Sequence, residues 1–343
     1  MITRVHPKDA RLLRAVDALL ARSGLRREQN LDATLALLDE EGEVIATGSC
    51  YGNTLRCFAV DERRQGEGLL GQILSALIEL SAERGHMHLF LYTKIDTARY
   101  FRDLGFYEIA RVDGTLVFME NRRNGFSAFL ADLRRSRRAG TSAALVMNAN
   151  PFTLGHQYLC EQAAAACDTL HLFVLSEDAS LIPYAVRRAL VEAGTRHLPN
   201  VLLHDAGPYV ISNATFPSYF LPDAPTVIEG HARLDLAIFL RIAQALDVSV
   251  RYVGEEPESL VTGAYNRIMR TFLPEAGVRC VVLPRLEAEG RPISAGTVRE
   301  RLAAGDLDGA CRLMPETSAR FFRSPEAEPV LARLRAATTL RHY

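Results

Sequence analysis

The sequence predicts an α/β protein of two domains, a mixed α+β N-terminal domain followed by one built on a parallel sheet. Three observations carry that expectation. The 343 residues exceed one ordinary core, since roughly 150 residues per domain predicts about two. The apolar rhythm then changes along the chain: strand-like runs follow one another before residue 121, whereas strand-like and helix-like runs alternate after residue 140. Between them, Asn121–Gly140 concentrates Arg122, Arg123, Arg134, Arg135, Arg137 and Arg138 around an apolar stripe of Phe126, Phe129, Leu130 and Leu133. This reads as a linker helix with a solvated basic face, or a basic bridge toward a phosphate-bearing partner. The expected division is therefore 1–120, a linker over 121–140, and 141–343.

Composition narrows the function classes. With 48% hydrophobic and 24% charged residues the chain should fold rather than stay disordered. Lys plus Arg, 40, against Asp plus Glu, 41, gives a net charge of −1, which disfavours a uniformly basic nucleic-acid binder and makes any cationic site local. No apolar run approaches the roughly 18 residues of a membrane span. Met1–Leu20 carries Arg4, Lys8, Asp9, Arg11, Arg14 and Asp17, the mark of an amphipathic helix rather than a signal peptide. The six cysteines form no C-x-x-C pair, so neither a disulfide scaffold nor a zinc cage is expected, and a reducing cytoplasm fits. Cys160 and Cys167, seven apart, read as small hydrophobes on one helical face.

In the first part, Thr34–Leu38, Val44–Cys50 and Leu55–Val60 are apolar runs separated by turn residues and predict an antiparallel meander. The glycine-rich stretch Arg63-Arg64-Gln65-Gly66-Glu67-Gly68 follows, then a helical apolar pattern from Leu69 to Ile78 and a strand at His88–Tyr92. Ala98–Leu104 predicts a helix ended by Gly105, and Thr115–Met119 a closing strand. In the second part, strands are expected at Ala143–Met147, Leu170–Leu175, Val201–His204, Thr226–Glu229, Val248–Val253 and Val278–Leu283. Helices are expected at Gly155–Ala166, Ala185–Arg196, Leu234–Leu246 and Thr297–Ala303. Ser324–Tyr343 reads as a short arginine-rich helix or a frayed tail.

Ligands of such a sheet bind beyond the carboxyl ends of its strands. The strongest local signal, Asn148-Ala149-Asn150-Pro151-Phe152-Thr153-Leu154-Gly155-His156, follows the first strand and opens the first helix of the second part. Gly155 permits close backbone approach, the helix N-terminus offers unpaired N–H groups, Thr153 offers a hydroxyl, and His156 can bond a phosphate oxygen as charge develops.

These residues resemble the HxGH motif of nucleotidyltransferases, with Thr153 at the first His. Ile293-Ser294-Ala295-Gly296-Thr297-Val298-Arg299 is similar to the second element of that superfamily, I-S-S-T-x-I-R, with Ser294 as a helix cap and Arg299 reaching β- and γ-phosphates. The wording N-A-N-P-F-T-x-G-H-x-Y-L is similar to that of the citrate lyase ligase family. Glu177-Asp178-Ala179-Ser180, Pro183-Tyr184, Arg187, Ala214–Phe220, Val253–Pro257, Val261-Thr262, Tyr265-Asn266 and Met269-Arg270 extend the match. Gly296 departs from it by replacing a Ser, and Ser176 by replacing a Lys that some relatives carry.

The resemblance implies a Rossmann-like nucleotidyltransferase domain. It further implies catalytic His156 and Thr153, with ATP contacts from Asn150, Phe152, Gly155, Arg187, Gly254, Glu256, Ser294 and Arg299. Arg187 reads equally well as a surface arginine, and Gly254 with Glu256 as an ordinary turn. Tyr219, Phe220 and Tyr265 shape an acetate pocket or belong to the core. In the first part, Arg63-x-x-Gly66-x-Gly68 and Ala98…Leu104-Gly105-Phe106 resemble GNAT acetyltransferases. That likeness implies a loop for a CoA-like pyrophosphate at Arg63, Gly66 and Gly68, although such a loop also serves helix packing; Tyr92 or Tyr107 could act as an acid there.

Taken together, the family resemblance implies an ATP-dependent ligase with Mg²⁺ on the triphosphate, acetate as substrate, and the citrate lyase acyl-carrier subunit, with its CoA-derived arm, as partner. No residue is expected to hold the metal alone, and no nucleic-acid or membrane partner is expected. Three alternatives stand beside it: a nucleotidyltransferase that leaves AMP on its product, a GNAT acetyltransferase with a nucleotide-sensing second domain, and a silent scaffold.

Overall fold

The computed structural model describes residues 1–28, 30–176, 180–210, 216, 219, 224–255, 260–288 and 290–337, without the side chains of 224 and 260–262. The chain divides into two units, Met1–Ala128 with Pro217–Ala237, and Phe129–Phe216 with Ile238–Tyr343. The linear order of elements does not foresee that 217–237 goes with the first unit.

In the first unit, β1 (Ile2–Arg4), α1 (Ala10–Arg22), β2 (Ala33–Leu38), β3 (Val44–Tyr51) and β4 (Thr54–Val60) come first. They are followed by α2 (Leu69–Glu83), β5 (Phe90–Thr93), α3 (Ile95–Asp103), β6 (Tyr107–Val112) and β7 (Leu116–Glu120). The seven strands make one sheet of order β1-β2-β3-β4-β5-β7-β6. The amphipathic N-terminal segment is shorter as a helix than its sequence suggests. Asp9 sets the start by accepting from the main-chain N–H groups of Arg11 and Leu12, and Ile2–Arg4 pairs with β2 instead. Helix α2 buries Ile73, Leu74 and Leu77. Gly48 of β3 makes room for them, because a Cβ there would stand 2.8 Å from Ile73, Leu77 and Phe58.

Strands β4 and β5 run parallel and pair only at Thr54–Phe90 and Leu55–Leu91. Tyr219, buried in this unit, donates its hydroxyl to the carbonyl of Tyr92 in β5 at 2.8 Å and accepts the N–H of Arg26 on its own carbonyl at 2.8 Å.

Helix α4 (Gly125–Arg134) occupies the arginine-rich stretch and buries Phe126, Leu130 and Leu133. The second unit then alternates β8 (Ser142–Met147), α5 (Leu154–Ala165), β9 (Thr169–Val174), α6 (Tyr184–Thr195) and β10 (Val201–Asp205). After α7 (Ala224–Leu246) come β11 (Val248–Gly254), α8 (Leu260–Glu275) and β12 (Arg279–Leu283). A two-residue hairpin, β13 (Glu287–Ala288) and β14 (Arg291–Pro292), leads to α9 (Ala295–Ala303), α10 (Leu307–Cys311), α11 (Glu316–Arg323) and α12 (Glu328–Ala336).

The five long strands are all parallel, in the order β10-β9-β8-β11-β12. Chain order reverses at β8, which makes the loops after β8 and β11 the walls of a crevice at the carboxyl edge. The core of this unit includes Leu145, Met147, Phe152, Leu172, Val174, Val298 and Leu302.

One expected strand is corrected: Thr226–Glu229 lies inside α7. Thr226, Val227 and Ile228 are locally β-formers, but Ala232, Leu236, Phe239 and Ala243 are buried at helical spacing and decide the outcome. Among the described residues no helix is long and apolar enough to cross a membrane.

Candidate functional site

The loop between β8 and α5 is held from below by a buried arginine. Arg187, on α6, is wholly shielded from solvent. Its Nε donates to Ile182 O at 3.0 Å, and its Nη1 donates to Asn148 O and Leu175 O at 2.8 Å and to Asn148 Oδ1 at 2.9 Å. The alternative of a surface arginine at Arg187 is corrected by its burial. The guanidinium ties together the carboxyl ends of β8 and β9, and a buried cation needs such carbonyls. Ser180 Oγ adds a 3.2 Å bond to Asn148 Oδ1. Asn150, also buried, accepts the Ile182 N–H on its Oδ1 at 3.2 Å and precedes a cis proline bond.

Helix α5 opens on a reciprocal cap. Thr153 Oγ1 accepts the His156 N–H at 3.4 Å, and His156 Nδ1 accepts the Thr153 N–H at 3.1 Å, with the two side-chain atoms 2.9 Å apart. Thr153 is buried, so its hydroxyl faces the histidine rather than an open surface. Phe152 is buried too. Its ring lies nearly parallel to that of His156, centroids 5.8 Å apart, and fills the space that a Cβ on Gly194 would occupy 2.4 Å away. Phe152 is therefore a support of His156 from the core. A Cβ on Gly155 would meet only ordinary contacts, the nearest at 3.5 Å from Ile293 O, so no packing contact inside the protein demands glycine there. Among the described residues its N–H has no partner.

That contact brings the two motifs together. Ile293 leads into α9, where Ser294 caps the helix by accepting the Thr297 N–H at 3.0 Å. The N–H groups of Ala295 and Gly296 likewise have no partner among the described residues. Two helix N-termini thus present bare donors side by side, an arrangement suited to an anion. Arg299, buried on α9, donates Nη1 to the carbonyl of Asn150, and burial lowers its pKa to about 10. It stays charged at neutral pH. Burial, then the positive fields of Arg285 and Arg299, lower His156 to about 4, so the ring is neutral.

Arg285 is absent from the motif reading. It follows β12, and its Nε donates to Glu255 O at 2.9 Å at the end of β11. Its neighbour Leu286 accepts the N–H of Ile293. A position just past a strand's carboxyl end was the available signal. Gly254 sits beside it, with its carbonyl accepting from Asn266 Nδ2 at 3.1 Å. Glu256 lies outside the described residues, as do Phe220 and Glu177–Ala179. Tyr265 is half-buried on α8. Tyr219 is corrected as an acetate-pocket residue, since its hydroxyl is bonded to Tyr92 within the first unit.

In the first unit the glycine loop joins β4 to α2. Gly66 has φ +90° and Gly68 φ +73°, conformations that other residues rarely adopt, and no side chain caps α2. Arg63 is exposed and forks onto Asp61, with Nε at 3.1 Å and Nη2 at 2.8 Å. These bonds and the Arg63 N–H hold the Asp61 carboxyl well below its ordinary range. The loop thus combines positive-φ glycines at an α2 start that no side chain caps with an arginine whose charge is balanced by Asp61. Tyr92 is buried and stacked on Phe118 at 4.5 Å, whereas Tyr107 is exposed.

Among the described residues no cluster of three or more His, Cys, Asp or Glu side chains could cage a metal.

Comparison with known proteins adds four findings. Residues 142–322 match the family model for the citrate lyase ligase C-terminal domain. The chain is 39% identical over 321 residues to [citrate [pro-3S]-lyase] ligase of Klebsiella pneumoniae, covering 92% of this chain and 93% of that protein. It is 36% identical over 331 residues to the protein of the same name from Escherichia coli K12, covering 94% of each. A GNAT-family acetyltransferase structure from Staphylococcus aureus Mu50 aligns with 36% of this chain and all of its own, at 14% identity and a TM-score of 0.30. On the length and level of the sequence matches, this chain belongs to the citrate lyase ligase family.

Proposed function

We propose that this chain is a ligase that activates citrate lyase by acetylating the thiol of its carrier arm at the expense of ATP. The observation that carries the reading is the meeting of two helix N-termini at Gly155 and Ile293, whose Gly155, Ala295 and Gly296 N–H groups have no partner among the described residues, with His156 and Arg299 beside them. An acetate oxygen attacks the α-phosphorus of ATP, the bond to the bridging oxygen breaks, and pyrophosphate leaves. The acetyl-adenylate is then attacked at its carbonyl carbon by the arm's thiolate, which expels AMP. Acetate arrives already ionised, so no residue need remove a proton in the first step.

The work of the chain is positioning and charge stabilisation. The N–H groups of Gly155, Ala295 and Gly296 and the Arg299 guanidinium receive the phosphates, and His156 donates to the oxygen that gains charge at the α-phosphorus. Arg285 adds a second cation at the rim. Mg²⁺ on the triphosphate would neutralise leaving-group charge. The glycine loop of the first unit is read as the seat of the arm's pyrophosphate, on the strength of its positive-φ glycines and uncapped helix.

The test is acetate-dependent exchange of labelled pyrophosphate into ATP, followed by acetyl transfer to citrate lyase carrying its prosthetic arm. Exchange that needs acetate, and transfer that needs the arm, are expected. Exchange only with a phosphate-bearing nucleoside or pantetheine substrate would replace this reading by a nucleotidyltransferase, and acetyl-CoA consumption without ATP by an acetyltransferase.

A further inference from the structure

His156 has two ring nitrogens, and only one can face a nucleotide. Its Nδ1 lies 3.1 Å from the main-chain nitrogen of Thr153, and that geometry makes the amide the donor. An amide N–H cannot accept, so Nδ1 must present its lone pair. A neutral ring then carries its proton on Nε2. The Thr153 hydroxyl, 2.9 Å from the same Nδ1, takes the His156 N–H as acceptor and can turn its own proton toward Nδ1. Phe152 backs the ring face at 5.8 Å between centroids and limits its rotation. The charged groups around the imidazole are Arg285 from the end of β12 and Arg299 from α9. Both are cations, and both oppose a second proton on the ring.

We propose that Thr153 is a positioning residue that locks His156 in the Nε2–H tautomer, so that a neutral imidazole donates to the α-phosphate while the threonine itself makes no contact with ATP. This rests on the adenylation reading given above. The pairing inverts the simplest expectation from the motif, in which Thr153 and His156 are two parallel ligands. Here one residue holds the other, and the burial of Thr153 leaves its hydroxyl within the cap.

The experiment pairs nitrogen NMR of the full chain with kinetics. The His156 signal, one of nine histidines, is identified by its loss in His156→Gln. The wild type should show a protonated Nε2 and an unprotonated Nδ1 between pH 6 and pH 8. In Thr153→Val, which keeps the main-chain donor but loses the hydroxyl, the Nε2–H tautomer should persist while the His156 signal broadens as the ring loses its fixed orientation. The exchange kcat should fall about 10- to 100-fold while KM for ATP moves less than about twofold. Thr153→Ser, which restores the cap and guards against misfolding of the valine variant, should recover both.

An Nδ1–H tautomer in the wild type would overturn the proposal. So would a rise in KM for ATP without loss of kcat in Thr153→Val, since that marks a hydroxyl in direct contact with nucleotide. A wild type with the Nε2–H ring but no acetate-dependent exchange would defeat the adenylation reading alone and leave the tautomer lock supported.

Discussion

The two loops that sequence reading marks for phosphate are built in opposite ways. The glycine loop of the first unit is shaped by its backbone: Gly66 and Gly68 supply positive φ, a Cβ at either would meet nothing within 4 Å, and Arg63 is answered by Asp61 in its own loop. The loop after β8 is shaped by side chains, the buried Arg187, Asn150 and Thr153 and the half-buried Asn148, all spent on internal bonds. A backbone-shaped loop takes its form from main-chain conformation alone. A side-chain-held loop fixes one histidine in one orientation.

The sharpest way to break that contrast is His156→Ala. Loss of a single donor at a charge-gaining oxygen should lower kcat for acetate-dependent exchange by about 10²- to 10³-fold, with a loss of about 1 kcal/mol of stability from the broken cap. Near-normal turnover measured under saturating ATP would remove His156 from the chemistry. Next comes Arg187→Ala. It strips the carbonyls of Asn148, Leu175 and Ile182 of a buried donor, so chemical denaturation should show a loss of about 3 kcal/mol, together with lost exchange.

Acid should separate the units as well. His156, and His171 paired with His204 across β9 and β10 at 2.9 Å, are all lowered by burial from 6.5 to about 4. Between those values the unfolded chain binds protons that the folded chain does not. Stability of the second unit should therefore fall as pH drops from about 6.5 to 4, by up to about 1.4 kcal/mol per pH unit per histidine, and level off below. Urea melts across that range would show a flat profile if the rings titrate normally.

The glycines give the smallest and cleanest pair. Gly155→Ala should fold as well as the wild type or slightly better, because alanine favours a helix, yet raise KM for ATP about tenfold. Gly68→Ala should cost about 1 kcal/mol of stability through its positive φ, measured by thermal unfolding.

Much of this was legible in the residues. Gly155-His156 after an apolar run, and Ser294 three residues before Thr297, announce helix starts through short-range cap chemistry that sequence records directly. The alternation of runs announced the parallel sheet. Arg187 was not legible, because its partners are carbonyls at positions 148, 175 and 182, and a carbonyl leaves no mark in a side-chain pattern. Arg285 follows a strand without any motif, and its closeness to His156 exists only after β12 joins β11. Thr226–Glu229 misread as strand because three β-branched or threonine residues speak locally, while the buried stripe that makes them helical extends to Ala243.

The return of 217–237 to the first unit has a consequence for how the protein can be made and recombined. A ribosome has to release the strands β8, β9 and β10 before Tyr219 emerges to bond Tyr92, and β11 emerges later still to pair with β8. Neither unit is finished before the other has begun. A single crossover between residues 92 and 219 would draw the two ends of the Tyr219–Tyr92 bond from different parents, whereas one after residue 237 would leave the first unit whole.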